Sequence, residues 1–373
     1  MQSQLFTSIK LRGLELANRI IVSPMCQYSA DQGNLTDWHL MHLGQYAVSG
    51  SALVIVEATG VEAAGRISPG CPSLCTDDNE AAMKRVVNFY RDYGNARIGI
   101  QLAHAGRKAS SDMPWRGGAP LAKDTPEGWE TFAPSALPYN DGWPTPTALE
   151  AEGLERIKQA FVDAATRAIR AGFDLIELHC AHGYLMHQFL SPLSNQRDDA
   201  YGGSLENRMR FPLEVFAAVR SVCPEDYPVG VRVSATDWVE GGWDLESTIT
   251  FAQALCDIGC DFIDVSSGGN SPAQKIIAGP GYQTGFASAI RQATNMTTVA
   301  VGQITDPRQA ETIVSSGQAD IVALARGMLY DPRWPWHAAE VLGADAAFPP
   351  QYMRAHPTLK GEPVPGNPPT AKK

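Results

Sequence analysis

Short apolar runs recur along the chain, spaced so that a helix fits between most neighbours. Eight of them are Arg19–Pro24, Ala52–Ala58, Arg97–Ala103, Asp174–His179, Pro228–Ser234, Phe262–Ser267, Thr298–Gly302 and Asp320–Ala325. Most are rich in β-branched residues and continuous rather than alternating. Strands buried on both faces, as in parallel sheets, have this pattern. Helical periodicity fills the intervals. In Leu154–Ala171 the apolar residues are Leu154, Ile157, Phe161, Ala164, Ala168 and Ile169, and Gly172 follows as a C-terminal cap. Further helices are predicted over Ala81–Tyr93, Leu205–Val222, Leu245–Ile258, Phe286–Ala293, Pro307–Ser316 and Pro335–Leu342.

Eight strands alternating with helices predict an α/β protein, a single (β/α)8 or TIM barrel. A doubly wound sheet is the rival, and it usually carries a Gly-rich fingerprint after its first strand. Here Met25-Cys26-Gln27-Tyr28 follows instead, and no G-x-G-x-x-G occurs. The Pro-, Gly- and Trp-rich segment Gly106–Thr147 lies after strand three and is expected to cap the barrel mouth. Residues 1–356 are expected to form the barrel as one domain. Residues 357–373, with five prolines and little to bury, are expected to be a disordered tail.

Charge narrows the partners. With 30 basic and 40 acidic residues the formal charge is −10, which argues against nucleic acid or an anionic membrane. The start Met1-Gln2-Ser3-Gln4-Leu5-Phe6 does not read as a signal peptide, and no apolar run approaches the length of a membrane span. Seven cysteines, an odd number, suit free thiols in a reducing cytoplasm. Cys71/Cys75 and Cys256/Cys260 invite a zinc reading, but their spacing is also that of one helical turn, and no His cluster follows.

On a barrel of this kind the active site lies at the C-terminal ends of the strands. Strand one ends in Ser23-Pro24-Met25-Cys26-Gln27-Tyr28, strand two in Glu57-Ala58-Thr59, and strand three in Gln101 through Lys108. Strand four supplies His179, His182 and Tyr184, all able to donate protons. Strand five carries Arg232, and strand six ends in Ser266-Ser267-Gly268-Gly269. Strands seven and eight end in Gly302-Gln303 and Ala325-Arg326-Gly327, small residues beside an arginine, which suits a phosphate. An amide at Gln101 and a fixed charge at Arg232 suit the edge of a flavin ring.

Each group also has a structural reading. His179 and His182 could be satisfied strand-end histidines, or metal ligands with Glu177 as a third. Cys26 could be a buried apolar thiol. Arg232 could serve an ion pair, Gln101 a cap, Tyr28 a wall of the mouth and Arg354 a solvated charge.

Taken together these segments resemble the old yellow enzyme family of flavin-dependent ene-reductases, and within it the bacterial xenobiotic-reductase-like branch. The motifs are Ser23–Tyr28, Gln101–Lys108, His182-Gly183-Tyr184-Leu185, Ser191–Asn195, Tyr201–Arg208, Val231–Ser234 and Ala325-Arg326-Gly327. The resemblance runs from about residue 4 to 356. It implies FMN bound non-covalently at the mouth, contacted by Ser23, Pro24, Met25, Cys26, Ala58, Gln101, Arg232, Ser267, Gly302, Ala325 and Arg326. It implies NADPH or NADH as reductant and an enone-type small molecule as substrate. His179 and His182 would hold the substrate oxygen, Tyr184 would donate the proton, Tyr28 would add a contact, and Cys26 would tune the flavin. Arg354 would reach a neighbouring site in a homodimer or homotetramer. Two other readings stand beside it: a metal-dependent barrel hydrolase or aldolase using His179 and His182, and a flavin-binding protein without useful turnover.

Overall fold

The computed structural model describes residues 3–352 and 354. Eight parallel strands close into a barrel. In chain order they are β1 (Ile20–Val22), β2 (Leu53–Gly60), β3 (Arg97–Ala103), β4 (Leu175–Cys180), β5 (Val229–Ser234), β6 (Phe262–Ser266), β7 (Thr297–Val301) and β8 (Ile321–Leu324). Each pairs with its neighbour in sequence, and β8 closes on β1. All eight predicted strands are present, within two residues at either end.

The outer helices are α1 (Asp37–Ala47), α2 (Asp77–Tyr93), α3 (Ala151–Ala171), α4 (Leu205–Val222), α5 (Leu245–Asp257), α6 (Thr284–Thr294), α7 (Pro307–Ser315) and α8 (Trp334–Leu342). Helix α1 escapes the periodicity reading because His39, His42 and Gly44 sit on its buried face, where apolar residues were sought. Gly172 ends α3 at φ +94, and its N–H donates to the carbonyls of Ala168 and Ile169. The predicted tail, 357–373, lies outside the described residues, as do residues 1, 2, 353, 355 and 356 of the predicted domain.

The barrel interior is layered. Its floor is apolar: Ile21, Leu53, Leu175, Phe262, Val299 and Ile321 pack together, under a plug from Leu11 and Leu16 of the hairpin Ile9–Leu11/Leu14–Leu16. Two residues further along the strands the inward positions turn polar, with Gln101 on β3, Glu177 on β4 and Asp264 on β6. Two more bring His179 on β4 and Ser266 on β6 to the mouth. The segment after β3 does reach the mouth: Trp115 stands edge-on to Tyr28 with ring centroids 5.6 Å apart.

Gly230 marks where the floor is tightest. A Cβ there would lie 2.3 Å from the Phe262 ring. Gly230→Ala should destabilise the protein by about 1–3 kcal/mol through overpacking. Urea unfolding would measure it, and an unchanged midpoint would mean that the floor can relax around a methyl group.

Candidate active site at the barrel mouth

A cavity of about 480 Å³ opens at the ends of β5–β8, lined by Arg232, Ser266, Gln283, Gly302, Gln303, Ala325 and Arg326 among others. That volume is within the range of small-molecule sites. Four predicted cofactor residues, Arg232, Gly302, Ala325 and Arg326, therefore share one wall. Gly302 has φ +132, which residues with a side chain rarely adopt, and a Cβ there would crowd Gln283 and Tyr282 at 3.0–3.2 Å. Arg326 is exposed and begins a helix of one turn, Arg326–Tyr330, and its guanidinium adds to that of Arg232 on this wall.

The Ser267 hydroxyl donates to Gln283 Oε1 at 2.6 Å, and Gln283 Nε2 donates to the Val301 carbonyl. The side chain that lines the cavity is Gln283, which the sequence reading did not single out. Ser23 Oγ is buried at the end of β1 and lacks a hydrogen-bond partner among the described residues. Pro24, Met25 and Cys26 follow it, partly buried, and Ala58 is buried at the end of β2. The loop is held by Glu57, whose Oε2 accepts from the Gln27 N–H at 2.9 Å while Oε1 faces His39 Nε2 at 3.3 Å. Cys26 is a thiol rather than a thiolate: hydrogen bonding with Cys71, and then burial, push its pKa well up.

His179, His182 and Tyr184 converge. The His179 and Tyr184 rings meet edge-on at 4.9 Å, and the two imidazoles at 5.1 Å. The Ala181 N–H donates to His179 Nδ1 at 3.2 Å, which leaves the His179 proton on Nε2. That Nε2 lies 3.3 Å from His182 Nδ1, and His182 Nε2 lies 2.7 Å from Ser266 Oγ. The imidazoles thus form one neutral chain of donors. Burial, and next the Arg232 charge, hold both histidines well below the usual pKa. Burial also raises the Tyr184 hydroxyl well above 10, so it carries its proton.

The turn bearing these groups is unusual. His182 has φ +57. Its N–H donates to Ser234 Oγ at 2.9 Å, and its carbonyl accepts from Lys108 Nζ at 2.9 Å. Lys108 also reaches the Gly269 carbonyl at 2.9 Å and lies over the Tyr184 ring at 5.2 Å. Burial, and then Arg107, lower its pKa to about 8. Lys108 is a functional residue that periodicity does not reveal; its signal in the chain is its place at the end of the motif Gln101–Lys108.

Glu177 is tied to Gln101, whose Nε2 donates to Glu177 Oε1 at 2.7 Å, so that oxygen is engaged away from the histidine pair. Among the described residues no group of three or more His, Cys, Asp or Glu is arranged to hold a metal ion. No helix among them is long and apolar enough to cross a membrane. Tyr28 is partly buried at the mouth, with φ +50. Arg354 is exposed at the end of the described chain and does not line the cavity.

The NADH:flavin oxidoreductase / NADH oxidase family model matches residues 4–344. The chain belongs to this family, the old yellow enzymes. It is 44% identical to an NADPH dehydrogenase of Geobacillus thermodenitrificans over 356 residues, covering 95% of this chain and 99% of that protein. It is 42% identical to an NADPH dehydrogenase of Bacillus subtilis with the same coverage. Morphinone reductase superposes with a TM-score of 0.77 at 31% identity, covering 93% of this chain and 91% of the other. A 2-naphthoyl-CoA reductase gives 0.81 at 25% identity, covering 91% of this chain and 52% of that longer one. This old yellow enzyme is therefore a flavin-dependent oxidoreductase, with FMN as cofactor and a nicotinamide nucleotide as reductant. The residues present fit FMN: the Gly302 cradle and Arg326 suit its phosphate, Arg232 adds a buried cation to the same wall, and Ser23 Oγ is a buried polar atom without a hydrogen-bond partner among the described residues.

The lowered histidine pKa values make a pH prediction. Unfolded imidazoles take up protons near pH 6.5, whereas the folded pair refuses them until lower pH. The stability that His179 and His182 contribute should be present above about pH 6.5 and lost as pH falls below it. Imidazole 15N shifts should show both rings still neutral at pH 6; a protonated ring there would contradict the neutral chain.

Proposed function

We propose that this old yellow enzyme reduces the C=C bond of electron-poor alkenes such as α,β-unsaturated carbonyl compounds. The observation that carries the reading is the convergence of two neutral imidazoles and a protonated tyrosine beside the cavity wall that fits FMN. Held by these residues, FMN would supply the hydride chemistry, carrying a hydride from the nicotinamide nucleotide to the alkene β-carbon. Negative charge then develops on the carbonyl oxygen. The Nε2–H of His179 and that of His182 stabilise it, exchanging their present partners, His182 and Ser266, for the substrate oxygen. Tyr184 delivers the proton to the α-carbon, and Lys108 over its ring steadies the phenolate left behind. Tyr28 and Trp115 wall the substrate side. Two structures of similar fold are reductases named for carbonyl compounds, morphinone and 2-naphthoyl-CoA, which supports this substrate class.

The homodimer or homotetramer reading draws support from an apolar groove of about 560 Å³ lined by Leu40, Met41, Phe89, Tyr93, Pro349 and Tyr352. Arg354 lies two residues beyond Tyr352, from where it would enter a neighbouring mouth.

NADPH should bleach the yellow protein and cyclohexenone should restore the colour. Bleaching without recovery by any enone would leave a flavin protein with no ene-reductase activity. Tyr184→Phe should bleach at an unchanged rate but recover about 10²–10⁴-fold more slowly in stopped flow. Equal recovery would remove Tyr184 from the role of acid. Arg354→Ala should raise KM for enones while leaving bleaching intact, and wild type should sediment as a dimer or tetramer; a monomer with normal KM would refute the shared site.

A further inference from the structure

Glu177 lies fully buried in the middle layer of the barrel, one strand from Gln101 and facing it in register. An ionisable group is costly there unless it does something specific. An amide has a donor end and an acceptor end. Because Gln101 turns its Nε2 to Glu177 Oε1 at 2.7 Å, its carbonyl Oε1 is turned away from Glu177. Without that partner the two ends of the amide would be interchangeable. Flavin rings are not indifferent to this choice: the pyrimidine edge offers an N–H between two carbonyls.

The same layer holds an unbalanced charge cluster. Arg232 Nε lies 3.4 Å from Asp264 Oδ2, and Asp264 pairs with Arg232 in register. Glu177 Oε2, Arg232 Nε and Asp264 Oδ1 are buried without a hydrogen-bond partner among the described residues. Glu177 is faced by Gln101 from β3, Arg232 from β5 and Asp264 from β6, with His179 and Cys180 on its own strand. One guanidinium cannot neutralise two carboxylates. Burial raises both carboxyls, and the Asp264 charge helps push that of Glu177 up to about 8, so near neutral pH the pair holds a proton and the cluster is balanced.

We propose that Glu177 is a positioning residue for the flavin, orienting the Gln101 amide and setting the charge around Arg232. The inference rests on the reading that Gln101 and Arg232 face FMN. As pH rises through about 8, Glu177 loses its proton and the cluster becomes negative. Adding electrons to the flavin then becomes less favourable, unless a proton from solvent returns to Glu177 with each two-electron reduction.

The test uses three holoenzyme variants and two readouts: FMN release on dilution, followed by flavin fluorescence, and the midpoint potential against pH with reference dyes. Glu177→Leu should weaken FMN binding about tenfold, the loss of one well-oriented hydrogen bond. Glu177→Gln keeps the acceptor and should bind within about twofold of wild type. The wild-type potential should fall more steeply with pH above about 8, and Glu177→Gln should lack that break. This second readout decides the matter even if Glu177→Leu does not fold. Normal FMN release from a folded Glu177→Leu protein, or a break that persists in Glu177→Gln, would overturn the proposal. Gln101→Ala separates the two ways of failing. If it too releases FMN normally, the flavin-site reading fails along with the proposal. If it weakens FMN while Glu177→Leu does not, the positioning role alone is wrong.

Discussion

His182 adopts φ +57, a conformation that costs a residue with a Cβ about 1–2 kcal/mol, and three neighbouring loops hold it there. Ser234 at the end of β5 accepts from its N–H, and Lys108 from the segment after β3 bonds its carbonyl. Gly269 after β6 lies so close that a Cβ on it would sit 2.5 Å from His182 Cα. Gly183 makes the reciprocal approach: a Cβ on it would sit 2.3 Å from the Gly269 carbonyl oxygen. This left-handed turn swings the His182 ring back toward His179 and leaves Tyr184 facing the same space. Strain of this kind persists only where the surroundings over-determine it. The mouth is organised around that one residue.

Behind the turn lies a second set of constraints. The Gly183 N–H donates to His187 Nδ1 at 2.9 Å, so His187 carries its proton on Nε2, 3.0 Å from Asp237 Oδ1. Asp237 also accepts from Ser191 and from the Trp243 N–H. Arg107, buried beside Lys108, donates to the Asn270 carbonyl at 2.8 Å and so ties the segment after β3 to the loop after β6. These groups reach the mouth chemistry only through the backbone they fix. Their burial makes the arrangement rigid, because each would lose a desolvated partner if the loop moved.

Much of this was legible in the chain. Continuous β-branched runs specify strands buried on both faces, and strand ends specify where chemistry gathers. His179, His182, Tyr184, Gln101 and Arg232 could be placed near one another from topology alone. Other features could not. Helix α1 packs histidines inward, since His39 serves Glu57 at the end of β2, and a hydrophobic period cannot show that. Gln283 went unnoticed because only three dimensions bring it against Ser267 and to the cavity wall. The tautomers of the histidine pair also depend on a single main-chain donor, Ala181 N–H, which no motif encodes.

That donor has a chemical consequence. Because Ala181 occupies His179 Nδ1, the chain of protons runs one way, from His179 to His182 to Ser266. Both rings are neutral, and a neutral imidazole is a weaker acid than an imidazolium. A weaker donor stabilises an oxyanion without surrendering its proton to it. In a site where both kinds of group were strong acids, the oxygen would compete with carbon for protonation. Here burial, with the Arg232 cation behind it, depresses the histidines, and burial also keeps the neighbouring Tyr184 protonated. On the proposed reading, the same desolvated environment that would keep the grip on oxygen weak as an acid would reserve the transferable proton for the tyrosine.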